Sequence, residues 1–311
     1  MSEPRALVIG EALVDVVVHA GGRREEHPGG SPANVALGLG RLGRPVDLLT
    51  WLAHDAYGGR LKSHLESSGV RLLTGNRSAL ATPVAIARLD EHGQATYDFD
   101  LTWDLPTAWE GDDAAPLVVH TGSIATTLRP GGPAVLRAVT ARRSTSTLTY
   151  DPNARPALMG TPAQARGTVE EFVRVADVIK ASEGDLLWLY PGQKPDDIAM
   201  RWARSGVAIV VVTHGEKGAF AATHGGAQLR VPAPQVSVVD TVGAGDSFMS
   251  GLIDGLWTEG LLGAGRRSAL KAIDAGVLQR VLERCTRIAA ITASRAGANP
   301  PKLAELGEAA G

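Results

Sequence analysis

The stretch Asp240–Leu256, DTVGAGDSFMSGLIDGL, sets one acid, Asp246, directly behind three small residues, Gly243, Ala244 and Gly245. An apolar helical spacing then begins with Phe248, Leu252, Ile253 and Leu256. A helix start presents unpaired backbone N–H groups and the positive end of a dipole. Small residues there let a ligand come close to the backbone. Read as chemistry, the stretch is an anion cradle with an acid beside it. Read as structure alone, it is an ordinary N-terminal turn with a well-placed Asp. These residues by themselves do not separate the two.

Other chemistries leave weaker traces. GDSF, at Gly245–Phe248, resembles the start motif of Gly-Asp-Ser-Leu esterases, with Ser247 as nucleophile. That chemistry needs a histidine base, and no histidine follows His224. GLGRLG, at Gly38–Gly43, matches G-x-G-x-x-G but falls within a helical pattern, not in the strand-to-helix turn a dinucleotide requires. No Walker P-loop is present. The eight histidines lack metal-ligand spacing. His214, after the strand VVVT, is expected at a loop or pocket edge. The single cysteine, Cys285, excludes an intramolecular disulfide and reads as a small packed residue. It fits a reducing compartment.

The elements that must position these residues alternate along the 311-residue chain. Buried strands are expected at ALVIG, VDLLTWLA, PLVVHTG, TLTYDPN, DVIKAS and VAIVVVTHG. Helical patterns separate them. SPANVALGLGRLG has Ser31 as expected N-cap and Pro32 at the first helical position, and DAYGGRLKSHLESSG has Asp55 as cap. Further patterns lie around 133–142, 162–175 and 195–204, and the last clear element is TRIAAITASRAG. This order predicts an α/β fold, a doubly wound and mostly parallel sheet flanked by helices. Two period-2 runs joined by EHGQ form a predicted hairpin. With LVDVVVHAGG they suggest a small β-sheet lid, drawn from about 12–28 and 80–104 of a single domain spanning 1–311. GGRREEHPGG between them reads as a solvated, mobile loop. Net charge is −2, which argues against nucleic-acid or anionic-membrane partners. No basic leader or bilayer-length apolar run is evident.

GGSPANVALGLGRLG and DTVGAGDSFMSGL, far apart and in this order, resemble the two signature regions of the PfkB (ribokinase-like) carbohydrate kinases. GEALVDVV, DPNAR, KASEGD and VVTHGEKGAF add to the match, which spans nearly the whole chain and is most similar to bacterial fructokinases. The resemblance implies a ribokinase-like fold with a β lid and transfer of the ATP γ-phosphoryl group to a sugar hydroxyl. It implies Asp246 as base and the backbone of Gly243, Ala244 and Gly245 as anion hole. On the sugar side it implies Asp15, Gly29, Gly30, Asn34 and Arg155, with lid residues such as Arg88, Tyr97 and Phe99 closing over the sugar. Ile86 shares the face of Arg88. On the ATP side it implies Asp151, Asn153, Thr213, Gly215 and Gly218.

The family's Asn-x-x-Glu, which organises water around Mg²⁺, is here Ser182-Glu183-Gly184-Asp185. Asp185 is therefore the expected metal-side acid, with Glu183 as alternative. Asp240 and SRAGANPP resemble the region holding K⁺ in related enzymes. Expected partners are a sugar, ATP and Mg²⁺ in the cytoplasm, and a second copy through the lid edge. Alternatives within the family are 2-keto-3-deoxygluconate kinase, ribokinase and nucleoside kinase. From another class, an inactive sugar- or nucleotide-binding regulator on the same scaffold remains open.

Overall fold

The structure, a computed structural model, describes residues 3–73, 78–90, 95–106 and 115–307. In chain order the strands are β1 (Ala6–Ile9), β2 (Leu13–Val18), β3 (Arg24–Gly29), β4 (Val46–Leu49), β5 (Val70–Leu73), β6 (Val84–Leu89), β7 (Ala95–Asp100), β8 (Val118–Gly122), β9 (Thr147–Asp151), β10 (Val178–Ser182), β11 (Ile209–Thr213), β12 (Ala219–Thr223) and β13 (Gln228–Val231). The helices are α1 (Ser31–Arg41), α2 (Ala56–Glu66), α3 (Gly131–Ala141), α4 (Pro156–Met159), α5 (Pro162–Val175), α6 (Glu183–Leu189), α7 (Pro195–Arg204), α8 (Ala244–Thr258), α9 (Arg267–Lys271) and α10 (Ala275–Ala293).

The larger sheet runs β13-β12-β11-β10-β9-β8-β1-β4-β5. β5 through β11 in that order are parallel, and β12 and β13 extend the sheet antiparallel. Alternation along β1 divides the interior. Leu7 and Ile9 join a core with side chains of α3, α5, α6 and α7. Ala6 and Val8 join another with α1, α2, α8 and α10. Both faces are therefore covered, as parallel strands require. The chain leaves β1 for β4 and β5 on one side, then returns to β8 on the other. The resulting switch point opens a crevice at the carboxyl ends of β1 and β8, where open α/β sheets bind ligands.

α8 reaches that crevice because its neighbours sit close. A Cβ on Gly38 of α1 would lie 2.3 Å from the Ser250 hydroxyl of α8. One on Gly255 of α8 would lie 2.8 Å from Val281 of α10. Within GLGRLG, Gly38 thus serves helix packing, Gly40 lies against the Ser68 carbonyl, and Gly43 follows the helix end at φ 82°.

The second sheet has the order β3-β2-β6-β7. β2 and β6 are parallel, and the outer pairs are antiparallel. It draws on the two stretches expected of the lid. GGRREEHPGG departs from expectation. Most of it is β3, paired with β2 from Leu13↔Gly29 to Val18↔Arg24. An edge strand held by its backbone needs no apolar face, so hydrophobic periodicity does not reveal it. Glu26 of β3 accepts from the Tyr57 hydroxyl at 2.7 Å and pairs with Arg60, which ties the strand to α2. The EHGQ turn, 91–94, lies outside the described residues.

Candidate active site

Asp246 lies in the first turn of α8 and is only 6% exposed. Its carboxylate sits at the centre of a cage. The Ser31 hydroxyl donates to Oδ1 at 2.7 Å, the Asn34 amide to Oδ2 at 2.8 Å, and the Asn153 amide to Oδ1 at 3.2 Å. Ser31 and Asn34 belong to the start of α1, and Asn153 to the loop after β9. Ser31 is therefore not an N-cap. Gly30 takes that place with φ 100°, a backbone region costly for a side chain, and a Cβ there would meet the Glu11 carbonyl at 2.5 Å. The freed Ser31 hydroxyl turns to Asp246.

Gly243 caps α8 in the left-handed region, φ 75°. The Ala244 N–H bonds the Thr241 carbonyl at 3.2 Å, so it is not the free donor expected of it. The Gly245 and Asp246 N–H groups have no intramolecular acceptor among the described residues, which leaves them facing the crevice at the positive end of a 15-residue helix. Ser247 is 2% exposed. Its hydroxyl donates to the Gly243 carbonyl at 2.8 Å and accepts from Thr292 at 2.9 Å. No histidine lies among these partners, so the serine-nucleophile reading fails on geometry.

Acids from the small sheet and the switch point face this cage. Asp15 of β2 lies against Gly29 of β3, where a Cβ would fall 2.1 Å from Oδ2. Burial pushes its carboxyl up to about 6, opposed by the charges of Arg155 and His27 and reinforced by Asp246. No hydrogen bond holds Asp15 among the described residues. Glu11, after β1, is 3% exposed and accepts from the Ala125 N–H at 3.1 Å. Burial pushes its carboxyl up to about 7, against hydrogen bonds with the backbone and Ser123 and the charge of Arg155. Arg155 is exposed and bonds the Asn153 side chain at 2.6 Å. Arg88 pairs with Asp98 at 2.8 Å on the face of the small sheet opposite Asp15, so it does not close over the crevice. Ile86 packs on the core, Phe99 is 36% exposed, and the Tyr97 side chain lies outside the described residues.

The remaining expected residues lie along the carboxyl ends of β9, β10 and β11. Thr213 ends β11, and Gly215 and Gly218 bound a tight loop in which the His214 N–H bonds the Gly218 carbonyl at 2.8 Å. A cavity of about 410 Å³ opens beside this loop, with Glu183, His214, Lys217 and Arg230 in its lining. His214 stands between Glu183 at 3.3 Å and Asp196 at 3.0 Å. Asp151 departs from its expected ATP contact. It is sealed, 0% exposed, and its Oδ2 lies 2.5 Å from Lys180 Nζ. Asp185 clamps the structure: Oδ2 accepts from the Ser182 N–H and Oδ1 from the Ala154 N–H, both at 2.8 Å. Asp240 accepts from the Val242 N–H at 3.0 Å and the Gly297 N–H at 2.9 Å, so it joins its loop to SRAGANPP. Among the described residues no three His, Cys, Asp or Glu side chains gather as a metal cluster, and no helix is long and apolar enough to cross a membrane.

The pattern of the pfkB family carbohydrate kinases matches residues 4–304. The chain belongs to that family. This pfkB-family chain is 31% identical over 264 residues to a fructokinase of Klebsiella pneumoniae, covering 82% of this chain and 85% of that protein. It is 32% identical over 269 residues to one of Rhizobium leguminosarum bv. trifolii, covering 82% and 81%. Among solved structures it is similar to the fructokinase from Vibrio cholerae O395 in fructose, ADP and calcium ion bound form. That likeness has TM-score 0.75 and 27% identity over 95% of this chain and 94% of that one. A double mutant of that enzyme, in fructose, ADP and potassium ion bound form, gives TM-score 0.76 and 25% identity over 96% and 94%. The chain is thus a carbohydrate kinase, a phosphotransferase acting on a sugar hydroxyl, with the ribokinase-like fold.

Ser31, Glu11 and Lys180 are the site residues that sequence reasoning passed over. For Lys180 a signal existed: one cation among the apolar residues Val178, Ile179 and Ala181 of the strand run DVIKAS.

Proposed function

We propose that the chain is a fructokinase, transferring the γ-phosphoryl group of ATP to the 6-hydroxyl of D-fructose. The observation that carries this is the Asp246 cage, a buried carboxylate with unpaired backbone N–H groups beside it. Phosphoryl transfer asks the protein for positioning and charge stabilisation. Asp246 takes the proton of the attacking hydroxyl. The new O–P bond forms as the bond from γ-phosphorus to the bridging oxygen breaks, and ADP leaves with that electron pair. The Gly245 and Asp246 N–H groups and the α8 dipole receive the developing negative charge.

The sugar enters under the small sheet, which acts as a lid. Asp15 takes sugar hydroxyls, and Asn34 and the Gly29–Gly30 backbone orient the ring. Ser31 and Asn34 release part of their hold on Asp246 when the hydroxyl arrives, since bonds at a catalytic base rearrange on substrate binding. The loop from Thr213 to Gly218 and the cavity beside it, carrying Lys217 and Arg230, suit the polyanionic nucleotide. Mg²⁺ keeps most of its water and is bound through one or two carboxylates plus substrate phosphates. Each oxygen of Asp185 retains a lone pair for such a water, and half-buried Glu183 lies in the same first turn of α6, so the residues fit the ion; when bound it would neutralise phosphate charge. Asp240 and its bond to Gly297 frame the loop that would hold K⁺. The ATP requirement is met in the cytoplasm, and the open edges β3 and β7 suit a lid-to-lid homodimer.

The test is kcat/KM with ATP across D-fructose, D-ribose, adenosine and 2-keto-3-deoxygluconate, with product identified by NMR. A site that pairs several hydroxyls leaves groups unpaired with the wrong sugar, each costing about 1–3 kcal/mol. D-fructose is expected to lead by at least tenfold. A higher value for any other substrate overturns the fructose assignment.

A further inference from the structure

Lys180 is a lysine inside a sheet. It lies in β10, is 2% exposed, and its ammonium has Asp151 as close partner at 2.5 Å. Burying such a pair is expensive. A well-packed apolar pair of the same volume is often as stable or more so, while removal of one partner is strongly destabilising. Stability alone is therefore a poor reason for the pair, and its surroundings supply a better one.

Two connections lead from it into the active site. One passes through space. A Cβ on Gly245 would lie 3.1 Å from Lys180 Nζ, so the ammonium stands directly behind the first turn of α8. The other is a chain of contacts. Asp151 Oδ1 accepts the Asn153 N–H at 3.1 Å, and the Asn153 amide donates to Asp246. The charges felt by Lys180 are those of Asp151, Asp185 and Asp246, and His120, which senses the charge of Lys180, is held neutral chiefly by burial.

We propose that Lys180 is a positioning residue for phosphoryl transfer. Its buried cation holds the Asp151–Asn153 loop against Asp246 and adds a fixed positive charge behind the α8 turn where the transferred phosphoryl group gathers charge. Gly245 lacks a side chain in part because the ammonium occupies the space. A preorganised charge in a water-excluded wall acts on the transition state without reorganising during the reaction. Its loss therefore acts on kcat more than on binding.

The inference rests on the kinase reading with Asp246 as base, so wild-type sugar phosphorylation is measured first. Absence of that activity defeats the functional reading itself. With activity in hand, the variants are Lys180→Met, Asp151→Asn and the two combined, each followed by thermal unfolding, kcat, and KM for sugar and ATP. Lys180→Met alone leaves a buried carboxylate unpaired and is expected to lose both stability and rate. The double variant removes both charges. It is expected to regain most of the unfolding temperature while kcat stays at least tenfold below wild type, with both KM values within about threefold. Recovery of kcat together with stability overturns the proposal and leaves the pair structural. Should neither Lys180 variant fold, Asp151→Asn decides: it keeps the lysine and loosens its hold. A kcat at least fivefold lower with both KM values nearly unchanged supports the proposal, and an unchanged kcat overturns it.

Discussion

The two sheets face one crevice but are built on opposite terms. In the larger sheet, β8 and β9 are buried at every residue, and the loops that follow them carry Ser123 and Asn153. In the smaller sheet, β3 is mostly half-buried with Arg24 and His27 exposed, and Thr96, Asp98, Phe99 and Asp100 of β7 are exposed as well. The acids differ in the same way. Asp246 is braced by donors from two other elements, whereas Asp15 has no hydrogen-bonded partner among the described residues. A braced carboxylate suits a step that tolerates little misplacement. A desolvated carboxylate without a partner suits a group that waits for one. The buried half is the half for chemistry, and the small sheet the half for admission.

The sharpest way to break this division is Asp246→Asn, which keeps size and loses the base. kcat is expected to fall about 10²–10⁴-fold, as for general-base removal, with sugar and nucleotide affinity by calorimetry largely kept. Ser247→Ala is the matched control and should retain most turnover, because its hydroxyl serves only α8 and Thr292.

On the admission side, Asp15→Asn is expected to raise KM for the sugar about tenfold or more while KM for ATP stays put, as expected when a charged hydrogen bond worth roughly 1.5–3 kcal/mol is lost. The pH profile carries the same information. With its carboxyl pushed up to about 6, Asp15 gains a proton as pH falls through that value and loses the charge that strengthens its bonds from sugar hydroxyls. kcat/KM for the sugar should therefore drop below about pH 6, and that component should vanish in Asp15→Asn. A smaller effect is expected at Asp185→Ala: a higher Mg²⁺ requirement that saturating Mg²⁺ largely repairs. An unchanged Mg²⁺ titration makes Asp185 purely a clamp and turns attention to Glu183.

Glu11 yields an effect on stability. Its carboxyl is raised from 4.5 to about 7, so the fold prefers it protonated. That preference is fully present below pH 4.5 and is lost as pH rises through about 7. Glu11→Gln mimics the protonated form. Relative to wild type it should gain stability between pH 5 and pH 8, by at most about 3 kcal/mol. Chemical denaturation at the two pH values measures this, and a pH-independent difference would remove the buried-acid account.

Much of the buried half was legible because its signals are local. Asp246 follows small residues at a helix start, and strand–helix alternation gives the parallel sheet. The cage was not legible, since Ser31 and Asn34 lie 215 and 212 positions from Asp246. Ser31 looked like a cap because capping and site serines share the same local sequence, and only the backbone at Gly30 separates them. Glu11 carries no local signal of its burial, because the Ala125 N–H that it meets lies 114 positions away. Charged β3 reads as a loop in sequence because its pairing partner, not its own pattern, makes it a strand. The resemblance alone places Asp151 at the ATP side, and its burial depends on a lysine 29 positions later, at Lys180.

The central claim is phosphoryl transfer to a sugar at this crevice, and ³¹P NMR tests it most directly. Purified protein is incubated with ATP, Mg²⁺ and D-fructose, and the products are followed against time, with Asp246→Asn in parallel. The account expects ADP and fructose 6-phosphate in equal amounts, no free phosphate beyond background, and a near-silent Asp246→Asn sample. ADP with free phosphate and unmodified sugar, or an Asp246→Asn variant that makes sugar phosphate at the wild-type rate, would contradict it.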